Sequence, residues 1–326
     1  MLRRRPSRKR IAARVQKRLD CVDFHMKQKK FLTVFAPAKV NLYLRVTGRL
    51  DNGFHALDSL AAFVDIGDWV RFDEAENFSF SINGPYAAAF SAAERDGSPD
   101  SSNLAVKAVW ALSRTVQRLP QFRITLEKNL PLASGIGGGS ADAAAAIWGA
   151  MEWWDLSPHA APYLGGMMMG LGADVPVCFN CAPVLMRGAG EILEQAPALP
   201  ETPVVLVNPG KACSTAQVFK GYQEPFSSPV DVPDDLSDFD DLAWFVEQEG
   251  NDLLPAATAL VPEITDVIDC LQAQPGCATA SMSGSGATCF GLFRDEEDAL
   301  KAAQQIGAAR SSWWVRAGVL NRPERY

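Results

Sequence analysis

The sequence predicts an α+β fold built as two domains. Three observations carry this. Strand-like and helix-like segments mix without regular βαβ alternation. A glycine-rich run joins one strand to an alanine-rich helix, and a proline-rich stretch near 197–203 divides the chain. At 326 residues there is material for two cores. The expected layout is a basic head at 1–30, a first domain at 31–190 and a second at 191–326.

The elements follow in order. Phe31–Phe35 reads as a strand. After Pro37, Val40, Leu42, Leu44 and Val46 alternate with other residues at the period of a half-buried strand. Asp51-Asn52-Gly53 signals a turn. Strands are expected at 57–66, 69–73 and 77–83, then a loop at 84–100. Leu104, Ala108, Leu112, Val116 and Leu119 recur at helical spacing, with Ser101 or Ser102 as the cap. Phe122, Ile124 and Leu126 make a strand leading into the glycine run. Ser157-Pro158 opens another helix, which passes Met167–Met169 as core filler and stops at Gly170–Gly172. Val175–Phe179 reads as a short strand, and Val204–Val207 opens the strand after the proline-rich boundary. The acidic run Asp231–Asp241 reads as a solvated loop. A helix near 255–273, strands at Ala278–Met282 and Thr288–Phe293, a helix near 296–307 and a strand near 313–319 complete the chain.

Composition narrows the function. The apolar content is that of a soluble globular protein, with no apolar run of membrane-spanning length. Seven cysteines without regular spacing argue against a disulfide framework and fit a reducing, cytoplasmic compartment. Cys178 and Cys181 form a Cys-x-x-Cys pair without a second pair or nearby histidines, so neither zinc nor redox chemistry is expected there. Trp153-Trp154 and Trp313-Trp314 read as packing. Residues 1–30 carry twelve Lys or Arg against two acids, leaving nineteen bases against thirty-six acids elsewhere. An acidic body argues against a nucleic-acid surface. The head has no secretory apolar stretch and reads as a dispensable, disordered segment. It fits three origins: an organelle transit peptide (plastid or other), a nucleic-acid tail, or a start assigned ahead of Met26.

The chemistry concentrates in Pro131–Ala146. Gly135, Gly137, Gly138 and Gly139 let backbone N–H groups approach a ligand closely. Ser140 stands at the expected N-cap, before the alanines that start with Ala141. Such a loop feeding a helix N-terminus suits a phosphate. No Lys followed by Ser or Thr closes it, so it is not a Walker A loop. A second turn, Ser283-Gly284-Ser285-Gly286-Ala287, lies between two expected strands and reads as a second backbone wall.

In order along the chain, Ala36-Pro37-Ala38-Lys39-Val40-Asn41-Leu42, Pro131–Ala146, Gly172-Ala173-Asp174-Val175-Pro176 and Met282–Thr288 resemble the GHMP kinases. That family is named for galactokinase, homoserine kinase, mevalonate kinase and phosphomevalonate kinase. Phe54-His55 and Ser214–Phe219 are similar to the branch that acts on a cytidine diphosphate-linked methylerythritol, on the non-mevalonate route to isoprenoid precursors. The resemblance covers about residues 31–322, more loosely in the last third.

It implies a two-domain fold with the active site in the cleft. ATP would donate its γ-phosphoryl group to a tertiary hydroxyl, by positioning and charge stabilisation. Pro131, Leu132, Ala133, Ser134, Gly135, Ile136, Gly137, Gly138, Gly139, Ser140 and Ala141 would cradle the ATP phosphates. Gly284, Ser285 and Gly286 would close the site from the second domain, and Ser140 would help hold Mg²⁺. Asp174 matches the family's base and Lys39 its catalytic lysine. A carboxylate can take the proton of an attacking alcohol, and a nearby ammonium favours that carboxylate's charge. Asn41, Phe54, His55 and Phe219 would bind the acceptor, with Phe54 and Phe219 facing each other across cytosine and His55 reading its edge. The family usually has Tyr where Phe54 stands, so stacking survives but a hydroxyl contact is lost. Retention of both Lys39 and Asp174 argues against a catalytically silent nucleotide binder.

Overall fold

One long hairpin organises the molecule. The computed structural model describes residues 31–157, 164–223 and 225–322; the basic head and Pro158 lie outside them. Strands β1 (Phe31–Arg49) and β2 (His55–Glu74) pair antiparallel from Phe31↔Asp73 to Arg49↔His55. The sequence predicts breaks at Pro37 and near Gly67, but these two residues face each other in the register. A bulge there bends both strands without ending either. Gly67 fits because a methyl at that position would overlap the carbonyl of Ala36.

β3 (Ser79–Asn83) lies parallel to β4 (Phe122–Glu127), which pairs antiparallel with β2. Between them, the expected loop contains helix α1 (Ala92–Arg95), and α2 (Leu104–Val116) follows it. The cap of α2 is Asn103, whose Oδ1 accepts the Ala105 N–H at 3.0 Å, rather than Ser101 or Ser102. Ser101 instead accepts the N–H of Asn103. The helix ends at Gln117 with φ +55, so Leu119 falls off the apolar stripe and is 77 % exposed.

α3 (Gly138–Trp153) starts three residues earlier than the Ser140 cap predicts. Gly137 is the N-cap, at φ +66, and the small alanines let this helix lie buried on nearly all sides. α4 (Gly165–Leu171) precedes α5 (Asp174–Asn180), where the sequence predicts a strand. A short apolar run fits either form, and packing decides here. Phe179 stacks on Trp148 of α3 at 4.5 Å, and the indole N–H donates to the Phe179 carbonyl. Pro176 is tolerated because first-turn N–H groups have no helical acceptor. Met168 is buried and Met167 packs on the same core, as filler should, but Met169, expected there too, is exposed.

β5 (Val184–Gly188) and β6 (Ile192–Gln195) add an unanticipated hairpin on β2. The second sheet starts with β7 (Thr202–Asn208), fully buried along its length. After it come α6 (Thr215–Gly221), α7 (Phe239–Glu249), α8 (Leu254–Leu260), α9 (Glu263–Gln272), β8 (Cys277–Met282), β9 (Cys289–Phe293), α10 (Glu296–Ala309) and β10 (Trp314–Leu320). The helix expected over 255–273 is broken at Val261-Pro262, since Pro262 has no N–H to continue the ladder. The acidic run stays largely exposed, although Asp238 caps α7.

The sheet order is β10-β7-β9-β8, all antiparallel, and one pairing, Leu320↔Val64, joins this sheet to the first. One core fills the space between the first sheet and α2, α3 and α5. A second, including Val40, Leu60, Leu206 and Phe290, bridges the two sheets. A third packs β7 and β9 on α9 and α10. Among the described residues no helix is long and apolar enough to cross a membrane.

Candidate active site

The middle of β1, the glycine loop and the β8–β9 turn meet at one cavity of about 710 Å³. Backbone contact makes this junction. Gly135 has φ +76, and a methyl there would sit 2.5 Å from the Ser283 carbonyl oxygen and 2.8 Å from Gly286 N. A methyl on Gly284 would sit 2.7 Å from the Gly135 oxygen. Only glycines let the two turns lie this close. The buried Ser283 hydroxyl stitches them, accepting the Asn41 N–H at 3.1 Å and donating to the Gly135 carbonyl at 3.0 Å. The Asn251 amide donates to the Met282 and Gly284 carbonyls at 2.8 Å each. Thr288 N–H donates to the Ser134 carbonyl, and Lys39 N–H to that of Ile136. Each such bond contributes about 0.5–1.5 kcal/mol, and leaving a buried partner unmade costs more.

Inside the cavity, Lys39 Nζ donates to Asp174 Oδ1 at 2.8 Å. The lysine side chain is 5 % exposed and the aspartate 35 %, so the pair has a dry side and a side open to a ligand. Asp174 opens α5, a position the expected strand did not give it. Cys178, one turn along, is buried; burial first, then the Asp174 charge, push its thiol up and keep it inert. Cys178 and Cys181 are not bridged, and no cluster of metal-ligating His, Cys, Asp or Glu occurs among the described residues.

Beneath the start of α3 lies a buried ion triad. Lys128 Nζ donates to Asp68 Oδ2 at 2.5 Å and to Asp142 Oδ2 at 2.6 Å. Asp68 Oδ1 accepts the N–H groups of Asn129 and Leu130, which fixes the root of the glycine loop. Burial pushes the Asp142 carboxyl well above the usual carboxylate range, and the Asp68 charge adds to this. Burial also acts to lower Lys128, but the two carboxylates outweigh it and hold the ammonium above its ordinary value. A methyl on Gly138 would sit 3.1 Å from Lys128 Nζ, whereas one on Gly139 would meet nothing within 4 Å.

The sequence-predicted residues divide as follows. Lys39, Asn41, Asp174, Phe219, Gly284 and Ser285 share the cavity, together with Pro131–Gly135 and Gly137–Ser140. Ile136 and Ala141 do not line it; their side chains belong to the two cores that flank the loop. Gly286 lies behind the turn, over Met282. Phe54 is 65 % exposed on the β1–β2 turn and is not set across from Phe219. The ring on Phe219 is that of His55, stacked at 5.3 Å, with Tyr222 edge-on to it at 5.8 Å. Burial first, then the Arg49 charge, hold this imidazole below its usual range.

Several site residues carry no sequence signal. Asn251, Lys128 and Asp68 act on backbone groups or under the loop, which leaves no spacing to read, and Ser283 stood out only as part of its turn, not as the stitch between the two. One arm of the cavity, walled by Phe90, Glu94, Asn103 and Leu104, comes from the segment expected as a loop and from the start of α2.

This arrangement is a glycine-lined cavity beside a lysine–carboxylate pair, and comparison assigns its class. The model of the GHMP kinases N terminal domain matches residues 103–180, and that of the GHMP kinases C terminal matches residues 236–311. The molecule is a GHMP kinase, and kinases of this class use ATP. The 4-diphosphocytidyl-2-C-methyl-D-erythritol kinase of Paramagnetospirillum magneticum is 43 % identical over 87 % of this chain and 96 % of its own. Its counterpart in Cereibacter sphaeroides (strain ATCC 17029 / ATH 2.4.9) is 48 % identical over 86 % and 96 %. A crystal structure of 4-(cytidine 5'-diphospho)-2C-methyl-D-erythritol kinase superposes with a TM-score of 0.71 at 28 % identity, covering 89 % of this chain and 99 % of that one. Homoserine kinase from Cytophaga hutchinsonii shares the fold at a TM-score of 0.64 and 18 % identity, over 91 % of this chain and 97 % of its own. The chain belongs to the 4-diphosphocytidyl-2-C-methyl-D-erythritol kinases, a kinase family of isoprenoid synthesis.

Proposed function

We propose that this kinase transfers the γ-phosphoryl group of ATP to the tertiary 2-hydroxyl of 4-diphosphocytidyl-2-C-methyl-D-erythritol, giving the 2-phosphate and ADP. The observation that supports this most is the 2.8 Å Lys39–Asp174 pair in the cavity that the glycine loop lines.

Residues 31–190 supply the ATP cradle, and residues 191–326 close it, with the site in the cleft between. The N–H groups of Gly138, Gly139 and Ser140 have no helical acceptor in the first turn of α3 and receive phosphate oxygens. The arm at Phe90, Asn103 and Leu104 takes the nucleoside end of ATP. Gly284 and Ser285 bound the cleft from the other side, with Ser285 tied to Thr215 by a 2.8 Å hydroxyl contact. Asp174 accepts the proton of the 2-hydroxyl as that oxygen attacks. Lys39 pairs with Asp174 and lies near the charge developing on the oxygen.

The donor set fits Mg²⁺. Ser140 and Asp174 present hard oxygens to one cavity, which Asp142 also lines, its Oδ2 held by Lys128 and its Oδ1 without a partner. Mg²⁺ takes few protein ligands beside phosphates and water, and when bound it neutralises phosphate charge. Asn41, Phe54, His55 and Phe219 form the acceptor end, where aromatic faces stack cytosine. The acidic body gives nucleic acid no surface, and the cytoplasm is the expected setting.

Product analysis tests the reading. The 2-carbon is quaternary in the product, so a 2-phosphate shows no three-bond phosphorus–proton coupling in its ³¹P spectrum. A coupled multiplet would mean transfer to a primary or secondary hydroxyl, and would overturn the assignment.

A further inference from the structure

His55 is confined on three sides. Its ring lies on Phe219 at an interplanar angle of 26°, and the edge of Tyr222 meets it. Its Nε2 lies 3.3 Å from Arg49 Nη2. The hairpin register dictates that last contact, because Arg49 and His55 are the final cross-strand pair before the turn. Among the described residues, no other hydrogen bond to the ring is formed.

The contact has one chemical consequence. A guanidinium has five N–H donors, no lone pair to offer, and does not deprotonate in proteins. The imidazole nitrogen facing it must therefore accept. Nε2 carries the lone pair, and the ring's proton sits on Nδ1. A doubly protonated ring would set two donors against each other. Burial and the Arg49 charge, which hold His55 below its usual range, act in the same direction.

We infer that Arg49 is a positioning residue that fixes His55 as its Nδ1–H tautomer and so sets the site to read cytosine rather than uracil. This rests on the proposed role of His55 at the cytosine edge. Cytosine N3 is an acceptor, which an Nδ1–H directed at it can satisfy, whereas O2 accepts in both bases. Uracil carries a proton at N3, which would meet that donor head-on. The opposite tautomer reverses the match, because a bare Nδ1 would accept from uracil N3–H. A site built to donate to the base rejects an analogue that cannot accept, since a buried polar group is then left unpaired.

Two measurements test this on the full chain. The first is ¹⁵N NMR of the histidine-labelled protein without substrate. There are three histidines, so His55→Gln assigns the signal. A pyrrole-type Nδ1 and pyridine-type Nε2 are expected, shifting toward the other tautomer in Arg49→Leu and retained in Arg49→Lys, which keeps a donor-only cation. A wild-type Nε2–H tautomer would overturn the inference. The second compares the cytidine diphosphate acceptor with its uridine analogue. Arg49→Leu should raise KM for the cytidine acceptor about tenfold with a smaller change in kcat, and lower the cytidine-to-uridine preference about tenfold. Arg49→Lys should restore most of both. A tautomer shift with unchanged base preference would also overturn the inference. Failure of the wild type to use the cytidine acceptor at all would instead sink the proposed function, and the NMR result would stand apart from it.

Discussion

Two glycines four residues apart in the glycine loop should respond to the same substitution in opposite ways. Gly135 is at φ +76, and an added methyl would lie 2.5 Å from Ser283 O and 2.8 Å from Gly286 N and O. These are backbone atoms, so no rotamer change relieves the overlap. The left-handed conformation costs about 1–2 kcal/mol for an alanine. Overpacking of this kind costs about 1–3 kcal/mol more. Gly135→Ala should lose stability of that combined order and pry the two turns apart. Gly139 is different. It is helical, a methyl there meets nothing within 4 Å, and the residue lines the cavity. Gly139→Ala should gain up to ~1 kcal/mol of helix stability. Its methyl would occupy the space where a phosphate oxygen approaches, so ATP affinity should fall about tenfold or more. Urea unfolding and ATP titration calorimetry on both variants give the two readings. A Gly139→Ala protein that binds ATP like the parent would refute phosphate contact at the start of α3. A Gly135→Ala protein of parental stability would refute the clamp. Gly138 is a poorer probe, because a side chain there presses on Lys128.

Further outcomes are expected at Asp174, Lys39, Lys128 and Phe219. Asp174→Asn should lower turnover about 10²–10⁴-fold with ATP binding nearly intact. Lys39→Met should lose rate similarly, and the double variant should cost little more, because the pair acts as one unit. Near-full activity of Asp174→Asn at neutral pH would remove Asp174 from the mechanism. Lys128→Met should destabilise the fold by about 3–5 kcal/mol, since it strands Asp68 and Asp142 without a counterion; a loss under ~1 kcal/mol in urea would show that the triad does not hold the loop root. Phe219→Ala should weaken acceptor binding by about 1–3 kcal/mol with kcat less affected, and an unchanged KM would place the base elsewhere.

Much of this was legible in the chain, for identifiable reasons. Glycines that must approach another backbone leave a mark at any location, so the glycine loop and the β8–β9 turn stood out. Lys39 and Asp174 are ordinary residues singly and were found through the motifs around them; the structure then set them 2.8 Å apart. Punctuation residues misled where tertiary pairing overrode them. Pro37 and Gly67 bulge opposite each other, and the strands run on. Val175–Phe179 has strand composition but is held as a helix by Trp148. Asn251 and the stitching role of Ser283 were invisible because their partners are carbonyls brought together only by the fold. Phe54 and Phe219 were expected as a facing pair, and the ring on Phe219 proved to be His55.

The central claim is that the cleft couples ATP to a cytidine diphosphate acceptor. ADP release measured with 4-diphosphocytidyl-2-C-methyl-D-erythritol, mevalonate and homoserine, each at equal concentration with ATP and Mg²⁺, tests it most directly. The account predicts turnover with the first and little with the other two. Comparable turnover of mevalonate or homoserine would contradict it.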